Sequence, residues 1–204
     1  DTYLLDIRDN IGLDEPSSIL FQAKENIQSG TYYFAKWYGH FGSYVEALAA
    51  YNAGVGNVQR WLADETISTT SGPIIEKIPF EETKNYINRV LFYKEKYDEL
   101  YGKEELPQED TINERLCYEW AVKYGEQYKI DPRFVMAVVK AESSFRPDCV
   151  SVSGAVGMMQ IMKPTYEGDI KANLKLGSPL QEATKEGVRS RIRPVIMTAA
   201  MAAI

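Results

Sequence analysis

Apolar residues recur every three or four positions through most of the chain, which is the spacing of helices that bury one face. Clusters of glycine, serine and proline separate these stretches and mark the loops between them. No stretch alternates apolar and polar residues for longer than about four positions, so little β-structure is expected. The pattern predicts a mostly α fold, with a loop over 66–73 and helices over 18–40, 44–52, 57–62, 79–101 and 112–128. The last of these helices has Leu116, Trp120 and Tyr124 on one face.

The stretch 131–162 begins with a further helix that has an unusual face. Asp131 followed by Pro132 is a helix start, because the aspartate can cap free backbone N–H groups and proline fits the first turn. At about 100° per residue, four apolar side chains share one face of this helix: Phe134, Val135, Val138 and Val139. Glu142 projects into the middle of that apolar face.

Glu142 is therefore the first candidate for chemistry. Burial against apolar side chains disfavours an ionised carboxylate, so we expect its pKa to lie above that of a solvated glutamate. A carboxyl group that stays protonated near neutral pH is what a general acid requires. The helix alone also fits a buried structural glutamate held by backbone donors, and both interpretations stay open at this point.

Composition and charge narrow the class of protein. The 204 residues are 45% hydrophobic and 25% charged, which predicts one ordinary soluble domain, with or without an appendage. Acidic residues outnumber basic ones by 29 to 23, and the net charge of −6 argues against a nucleic-acid surface. No signal peptide is recognised, and no apolar run reaches the length of a membrane span.

Histidine and cysteine content limits the chemistry further. A single histidine, His40, nearly excludes histidine-based triads and His-rich metal sites, and we expect it only to end a helix. Cys117 and Cys149 are too few for a four-cysteine zinc site. They fit either one disulfide or two buried thiols, and the sequence does not decide between these.

Three further segments carry polar or aromatic residues suited to a common site. GAVGMMQIM offers a glycine-bearing turn and then Gln160, beside thioethers that can pack on a sugar face. AYNAG places Tyr51 and Asn52 at a helix end, and IPFEET places Glu82 at a helix start. Each segment alone also fits a structural role in core packing, in capping or in stabilising a helix dipole.

Together, AESSF, GMMQIM, AYNAG and IPFEET resemble the catalytic domain of the soluble lytic transglycosylases, a lysozyme-like family that acts on bacterial peptidoglycan. The resemblance covers residues 1–165 and implies a lysozyme-like helical fold with Glu142 as catalytic acid/base. It also implies a groove for glycan strands, lined by Ser151, Gln160, Met162, Tyr51, Asn52, Glu82 and, as a further candidate, Tyr86. The expected location is outside the cytoplasm of bacteria or associated with phage. No cofactor, metal, nucleotide or nucleic acid is implied.

The order of these segments departs from the family pattern. In the family the glutamate helix comes first and the AYNAG and IPFEET segments follow, whereas here they precede it. We interpret residues 1–101 as the family's C-terminal part, 102–112 as a linker and 113–165 as its N-terminal part. Residues 166–204 then combine a repeat of the N-terminal segment with a divergent extension. Circular permutation and the joining of one tandem domain's tail to the next domain's head both produce this order.

An internal repeat favours the tandem origin. At one constant offset, Thr2, Tyr3, Asp6, Ile7, Asn10, Leu13 and Pro16 match Thr165, Tyr166, Asp169, Ile170, Asn173, Leu176 and Pro179. Both copies have the apolar spacing for one docking place, and we expect the copy at 2–16 to keep it. The copy at 166–179 is then expected to be displaced, poorly packed or engaged with a neighbouring molecule. Residues 183–204 only faintly resemble a segment of resistance-nodulation-division transporters, from which no function follows.

The resemblance implies cleavage of the β-1,4 bond between N-acetylmuramic acid and N-acetylglucosamine without water, which leaves a 1,6-anhydro end. One carboxylate suffices for this reaction, whereas glycoside hydrolysis usually needs two. The alternatives are a hydrolase similar to goose-type lysozyme, with Glu82 as second carboxylate, and an inactive glycan-binding or structural cell-wall module. We expect Tyr51, Asn52 and Glu82 to lie across from Glu142 within one chain. A domain-swapped dimer is the rival arrangement.

Overall fold

The computed structural model describes residues 15–69, 72–73, 75–101 and 112–175 of the chain. This part is mostly helical, which confirms the predicted fold class. Predictions for residues 1–14, for the linker over 102–111 and for the transporter-like end concern positions outside the described residues. Within the described residues, none of the helices combines the length and apolar character needed to cross a membrane.

The predicted helix over 18–40 is divided in two. A short helix α1 (Glu15–Ser18) and a 3₁₀ turn (Ile19–Phe21) precede α2 (Ala23–Phe41), because Gln22 adopts an extended backbone conformation. The predicted loop over 66–73 contains two antiparallel two-residue strands, which pair Ser68 with Pro73. The elements after α2 are α3 (Tyr44–Ala53), α4 (Val55–Ala63), β1 (Ser68–Thr69) and β2 (Gly72–Pro73).

Longer helices form the second half of the described chain. A 3₁₀ turn (Ile75–Lys77) precedes α5 (Glu81–Tyr101), and the next two helices are α6 (Ile112–Tyr128) and α7 (Pro132–Ser143). After an irregular loop, α8 (Lys163–Thr165) continues through a π turn (Tyr166–Ile170) into α9 (Lys171–Lys175).

Capping residues and glycines lie at the helix ends. Asp131 caps α7, since its side chain accepts a hydrogen bond from the Arg133 backbone N–H at 2.9 Å, and Pro132 occupies the first turn. Gly54 ends α3 with φ of 84° and ψ of 145°, a positive φ that glycine adopts without steric cost but outside the left-handed helical conformation expected of a cap. Gly42 ends α2 in the left-handed helical conformation, with φ of 72° and ψ of 12°.

Helix α7 lies in the middle of the fold and is buried on more than the predicted face. Its residues 134–139 are all buried, and α5 and α6 both pack against it. A stack of aromatic rings joins α7 to α2 and α3: Phe134 lies 4.0 Å from Tyr44 and 5.7 Å from Phe34 between ring centroids. Offset stacking of this kind adds to the burial of apolar area. The helix that carries Glu142 is thus held from several sides.

The predicted buried face of α6 is displaced by one residue. Leu116 is 39% exposed, although the periodicity placed it in the core with Trp120 and Tyr124. The buried apolar side chains of this helix are those of Cys117, Ala121, Tyr124 and Tyr128. Their spacing of four, three and four follows the helical repeat equally well, so periodicity alone could not choose between the adjacent faces.

The prediction that the second repeat copy is displaced or poorly packed is wrong for its described part, residues 166–175. Tyr166 and Ile170 are buried in the core, and the π turn that carries them packs against α2. Lys36 of α2 forms an ion pair with Asp169 at 2.6 Å. The segment follows the loop of Met159 and Gln160 through only a three-residue helix, so chain connectivity delivers it directly to this surface.

Candidate active site

Glu142 lies in the last turn of α7, and its side chain is largely, though not completely, removed from solvent. Burial raises the pKa of its carboxyl group to about 7, from an ordinary value of 4.5. The backbone turns sharply just beyond it, since Ser144 and Phe145 both have positive φ. The predicted rise in pKa is confirmed in direction and cause. The arrangement therefore provides a carboxyl group that still carries its proton near neutral pH.

One face of α5 brings three polar residues to Glu142: Glu82, Tyr86 and Arg89, spaced by four and three positions. Tyr86 is only 2% exposed, and its hydroxyl group forms no hydrogen bond of normal length and angle with a described residue. It lies near enough to the Glu142 carboxyl for a donor interaction that lowers the Glu142 pKa. Arg89 also lowers that pKa through its positive charge, whereas Glu82 raises it. The sequence did not indicate Arg89, because an exposed arginine on a long helix has no distinguishing pattern.

Tyr51 lies close to Glu142 but directs its hydroxyl group to the protein backbone. The hydroxyl donates a hydrogen bond to the carbonyl oxygen of Met159 at 2.7 Å. Burial and the nearby Glu142 carboxylate raise the Tyr51 pKa well above its ordinary value. Tyr51 thus links the AYNAG segment to the loop that carries Gln160.

Asn52 is joined to the IPFEET segment. The hydroxyl group of Thr83, in the first turn of α5, donates to the Asn52 side-chain Oδ1 at 2.7 Å. Thr83 is 1% exposed, and nothing in the sequence singled it out. The AYNAG and IPFEET segments therefore meet through the hydrogen bond between Thr83 and Asn52.

The loop between α7 and α8 holds Ser151 and Gln160 through its own hydrogen bonds. The Ser151 hydroxyl oxygen accepts from the Ala155 backbone N–H at 3.0 Å. The Gln160 side-chain Nε2 donates to the carbonyl oxygens of Cys149 and Gly157, at 3.0 and 2.9 Å. These bonds use the donors of the glutamine amide and leave its Oε1 as an acceptor. Met162 follows as one of the exposed large apolar side chains.

A buried asparagine on α2 holds this loop in place. Asn26 donates through Nδ2 to the carbonyl oxygens of Leu20 and Val156, both at 2.8 Å, and its Oδ1 accepts from the Met159 N–H at 2.7 Å. A Cβ atom on Gly157 would lie only 2.6 Å from the Leu20 carbonyl oxygen, so the close approach requires glycine. Sequence reasoning missed Asn26, whose partners lie up to 133 positions away.

The described residues offer little support for thiol or metal chemistry. Both cysteines are free, which argues against the disulfide, but only Cys117 is buried, whereas Cys149 is half-buried. Burial raises the pKa of the Cys117 thiol. Among the described residues, no group of three or more His, Cys, Asp and Glu side chains is arranged to hold a metal ion. The largely buried Glu142 carboxyl group at the end of α7 stays the strongest candidate.

The fold and this site define a helical domain organised around Glu142, a largely buried glutamate whose pKa is raised to about 7. Comparison with known families matches residues 8–71 and 119–185 to the family described as "Transglycosylase SLT domain". These two blocks make up more than half of the chain, and the chain belongs to this family. No solved structure matches it in a structural search.

The names of curated proteins that are similar to this chain agree with the family match. The chain is 35% identical over 106 residues to the "Soluble lytic murein transglycosylase" of Salmonella typhimurium, which covers 52% of the chain and 15% of the relative. The protein of that name in Escherichia coli is 36% identical over 92 residues, covering 45% and 14%. A "Membrane-bound lytic murein transglycosylase C" of Edwardsiella ictaluri is 40% identical over 56 residues, covering 27% and 16%. The chain thus spans about one seventh of the length of the first two relatives.

Proposed function

We propose that this protein cleaves the glycan strands of peptidoglycan as a lytic transglycosylase, with Glu142 as its acid and base. The observation that carries the proposal is the Glu142 carboxyl group, mostly buried at the end of α7 with a pKa of about 7. Family membership and the names of the relatives support the same substrate. A location outside the cytoplasm, where peptidoglycan lies, is part of the proposal.

Glu142 acts twice in the proposed reaction. It first donates its proton to the oxygen of the β-1,4 bond between N-acetylmuramic acid and N-acetylglucosamine, and the bond from C1 to that oxygen breaks. The resulting carboxylate then takes the proton of the muramic acid 6-hydroxyl group, while the oxygen of that hydroxyl group bonds to C1. The products are a free N-acetylglucosamine 4-hydroxyl group and a 1,6-anhydro end. No water is consumed, and Glu142 ends protonated as it began, so one residue with a pKa near the working pH suffices.

The proposed glycan contacts are the residues of the segments that resemble the family. Ser151 offers its hydroxyl proton and Gln160 its Oε1, because local bonds use their other groups. The remaining proposed contacts are made by Tyr51, Asn52, Glu82, Tyr86 and Met162. Tyr51 and Tyr86 lie near enough to Glu142 to contribute mainly through the shape and low polarity of the site.

One observation favours a hydrolase as the second candidate. Glu82 lies close enough to raise the Glu142 pKa, and hydrolysis usually pairs an acid with a second carboxylate. In that reaction Glu82 would activate a water molecule in place of the muramic acid 6-hydroxyl group. The nature of the product end distinguishes the two enzymes.

We also propose that the segments are combined in permuted order within one chain, with parts at 1–101 and 113–165 joined by the linker 102–112 and followed by the extension 166–204. The family match falls into two blocks, 8–71 and 119–185, which lie on either side of the proposed linker. The packing of α5 along α7 supports a site that needs no second molecule.

Turnover of purified sacculi tests the proposed function. Wild-type protein should release soluble muropeptides, and Glu142→Gln should fold normally while losing nearly all activity. A positioned acid/base contributes roughly 10²–10⁴-fold, so more than about a tenth of wild-type activity in the variant would place the acid elsewhere. Binding to sacculi without release by the wild type would indicate a glycan-binding module.

A further inference from the structure

A hydrogen bond joins Thr83 to Asn52, one of the proposed glycan contacts. Thr83 lies in the first turn of α5 with 1% of its surface exposed, and its hydroxyl group donates to Asn52 Oδ1 at 2.7 Å. The two residues are 31 positions apart and come from different segments. Thr83 therefore binds a side chain of the site, although threonine in a first helical turn often binds the local backbone.

An asparagine amide presents different chemistry on its two sides. Its oxygen only accepts hydrogen bonds, whereas its nitrogen only donates them, and rotation of the amide by half a turn exchanges the two. In the structure the Thr83 hydroxyl donates to Oδ1, which holds the amide in one of these two orientations. With Thr83 bonded to Oδ1, the Asn52 Nδ2 points away from Thr83 and forms no hydrogen bond to a described residue.

We propose that Thr83 is a positioning residue that orients the Asn52 amide, so that Asn52 presents N–H donors to an acceptor oxygen of the bound glycan. The inference rests on the proposed function, since it concerns how that site holds its substrate. The acceptor is a sugar hydroxyl or carbonyl oxygen, because glycans are rich in both. Thr83 itself does not touch the glycan.

Binding measurements in the Glu142→Gln background test the orientation without turnover. Soluble, uncross-linked peptidoglycan strands serve as the probe. Thr83→Val keeps the shape of the side chain and removes its donor, and it should weaken binding roughly five- to tenfold. Thr83→Ser keeps the donor and should bind within about twofold of the Glu142→Gln parent. In the active enzyme, Thr83→Val should raise KM and leave kcat nearly unchanged.

A double-mutant cycle separates orientation from a structural role. Asn52→Ala removes the oriented group, so adding Thr83→Val to it should cost no further affinity. If Thr83 had a purely structural role, Thr83→Val would lower stability and would weaken glycan binding equally with asparagine or alanine at position 52. The inference is overturned if Thr83→Val binds as tightly as its parent, if Thr83→Ser binds as weakly as Thr83→Val, or if the penalty persists in Asn52→Ala.

Asn52→Asp provides a test that leaves Thr83 unchanged, should Thr83→Val fail to fold. The aspartate can still accept from Thr83 but has only acceptor oxygens at neutral pH, so it should bind the strands as weakly as Asn52→Ala. Binding equal to that of asparagine would overturn the inference. If these binding results hold while the wild type releases no product from sacculi, the proposed function fails and the orientation of Asn52 stands.

Discussion

At the scale of single residues, Glu142 is subject to opposing electrostatic effects. Desolvation and the charge of Glu82 favour its protonated form, whereas Tyr86 and Arg89 favour the ionised form. Desolvation is the largest of these effects, and the pKa settles at about 7. A carboxyl group with this pKa can both donate and accept a proton near neutral pH, which the proposed reaction requires.

The raised pKa makes stability depend on pH. Between about 4.5 and 7 the native protein keeps a proton at Glu142 that the unfolded chain releases, so the free energy of unfolding falls as pH rises through this window. Relative to Glu142→Gln, the wild type should lose up to about 3 kcal/mol across it. Urea denaturation of both proteins at several pH values measures the difference. A difference that does not change with pH would contradict the raised pKa.

Arg89 should set the alkaline limit of activity. Its charge lowers the Glu142 pKa, so Arg89→Gln should raise that pKa and move the loss of activity to higher pH. Lys96→Gln is the matched control, because Lys96 lies on the same helix and pairs with Glu99 at 3.0 Å instead. The pH profiles of wild type and both variants decide the point. Equal shifts in the two variants would mean that only net charge matters.

At the scale of elements, helix α2 supports the loop that carries Gln160. Asn26 bonds to the backbone on both sides of this loop, and Gly30 allows Met159 to lie against the helix. These contacts explain why the loop keeps an uncommon conformation, including a positive φ at Gln160. The helix therefore fixes the site without contributing a proposed glycan contact.

Gly30→Ala tests this support. The new Cβ atom would lie 2.7 Å from the Met159 Cβ, so either the helix or the loop must move, at a cost of about 1–3 kcal/mol in the free energy of unfolding. Gly56→Ala is the control, because Gly56 lies in helix α4 with nothing within 4 Å of its added Cβ atom. It should be neutral or slightly stabilising, since alanine favours helices. Equal effects of the two substitutions would contradict the close packing of α2 and the loop.

Sequence patterns predicted the elements better than the contacts between them. The capped start of α7 and the raised Glu142 pKa follow from local spacing and burial, and both could be inferred directly. Asn26 and Thr83 could not, because their roles depend on partners that only the folded chain brings near. Leu116 was misplaced for a related reason: adjacent helical faces have the same period, and only packing selects one.

At the scale of the whole molecule, the described elements form the surroundings of Glu142 within one chain. Helix α5 packs along α7, and Tyr51 from α3 reaches the loop after α7. If the active site is complete in each molecule, activity per molecule should stay constant over about a hundredfold dilution. Activity that falls with dilution, together with a dimer in solution, would instead indicate a site shared by two swapped chains.

The identity of the product end tests the central claim most directly. Sacculi digested by the wild-type protein are analysed by mass spectrometry, with Glu142→Gln as the blank. The proposed role of Glu142 predicts 1,6-anhydro-muropeptides, each lighter by one water than the corresponding product of hydrolysis. Muropeptides that carry only ordinary reducing ends would contradict the account and make Glu82 the second catalyst to test.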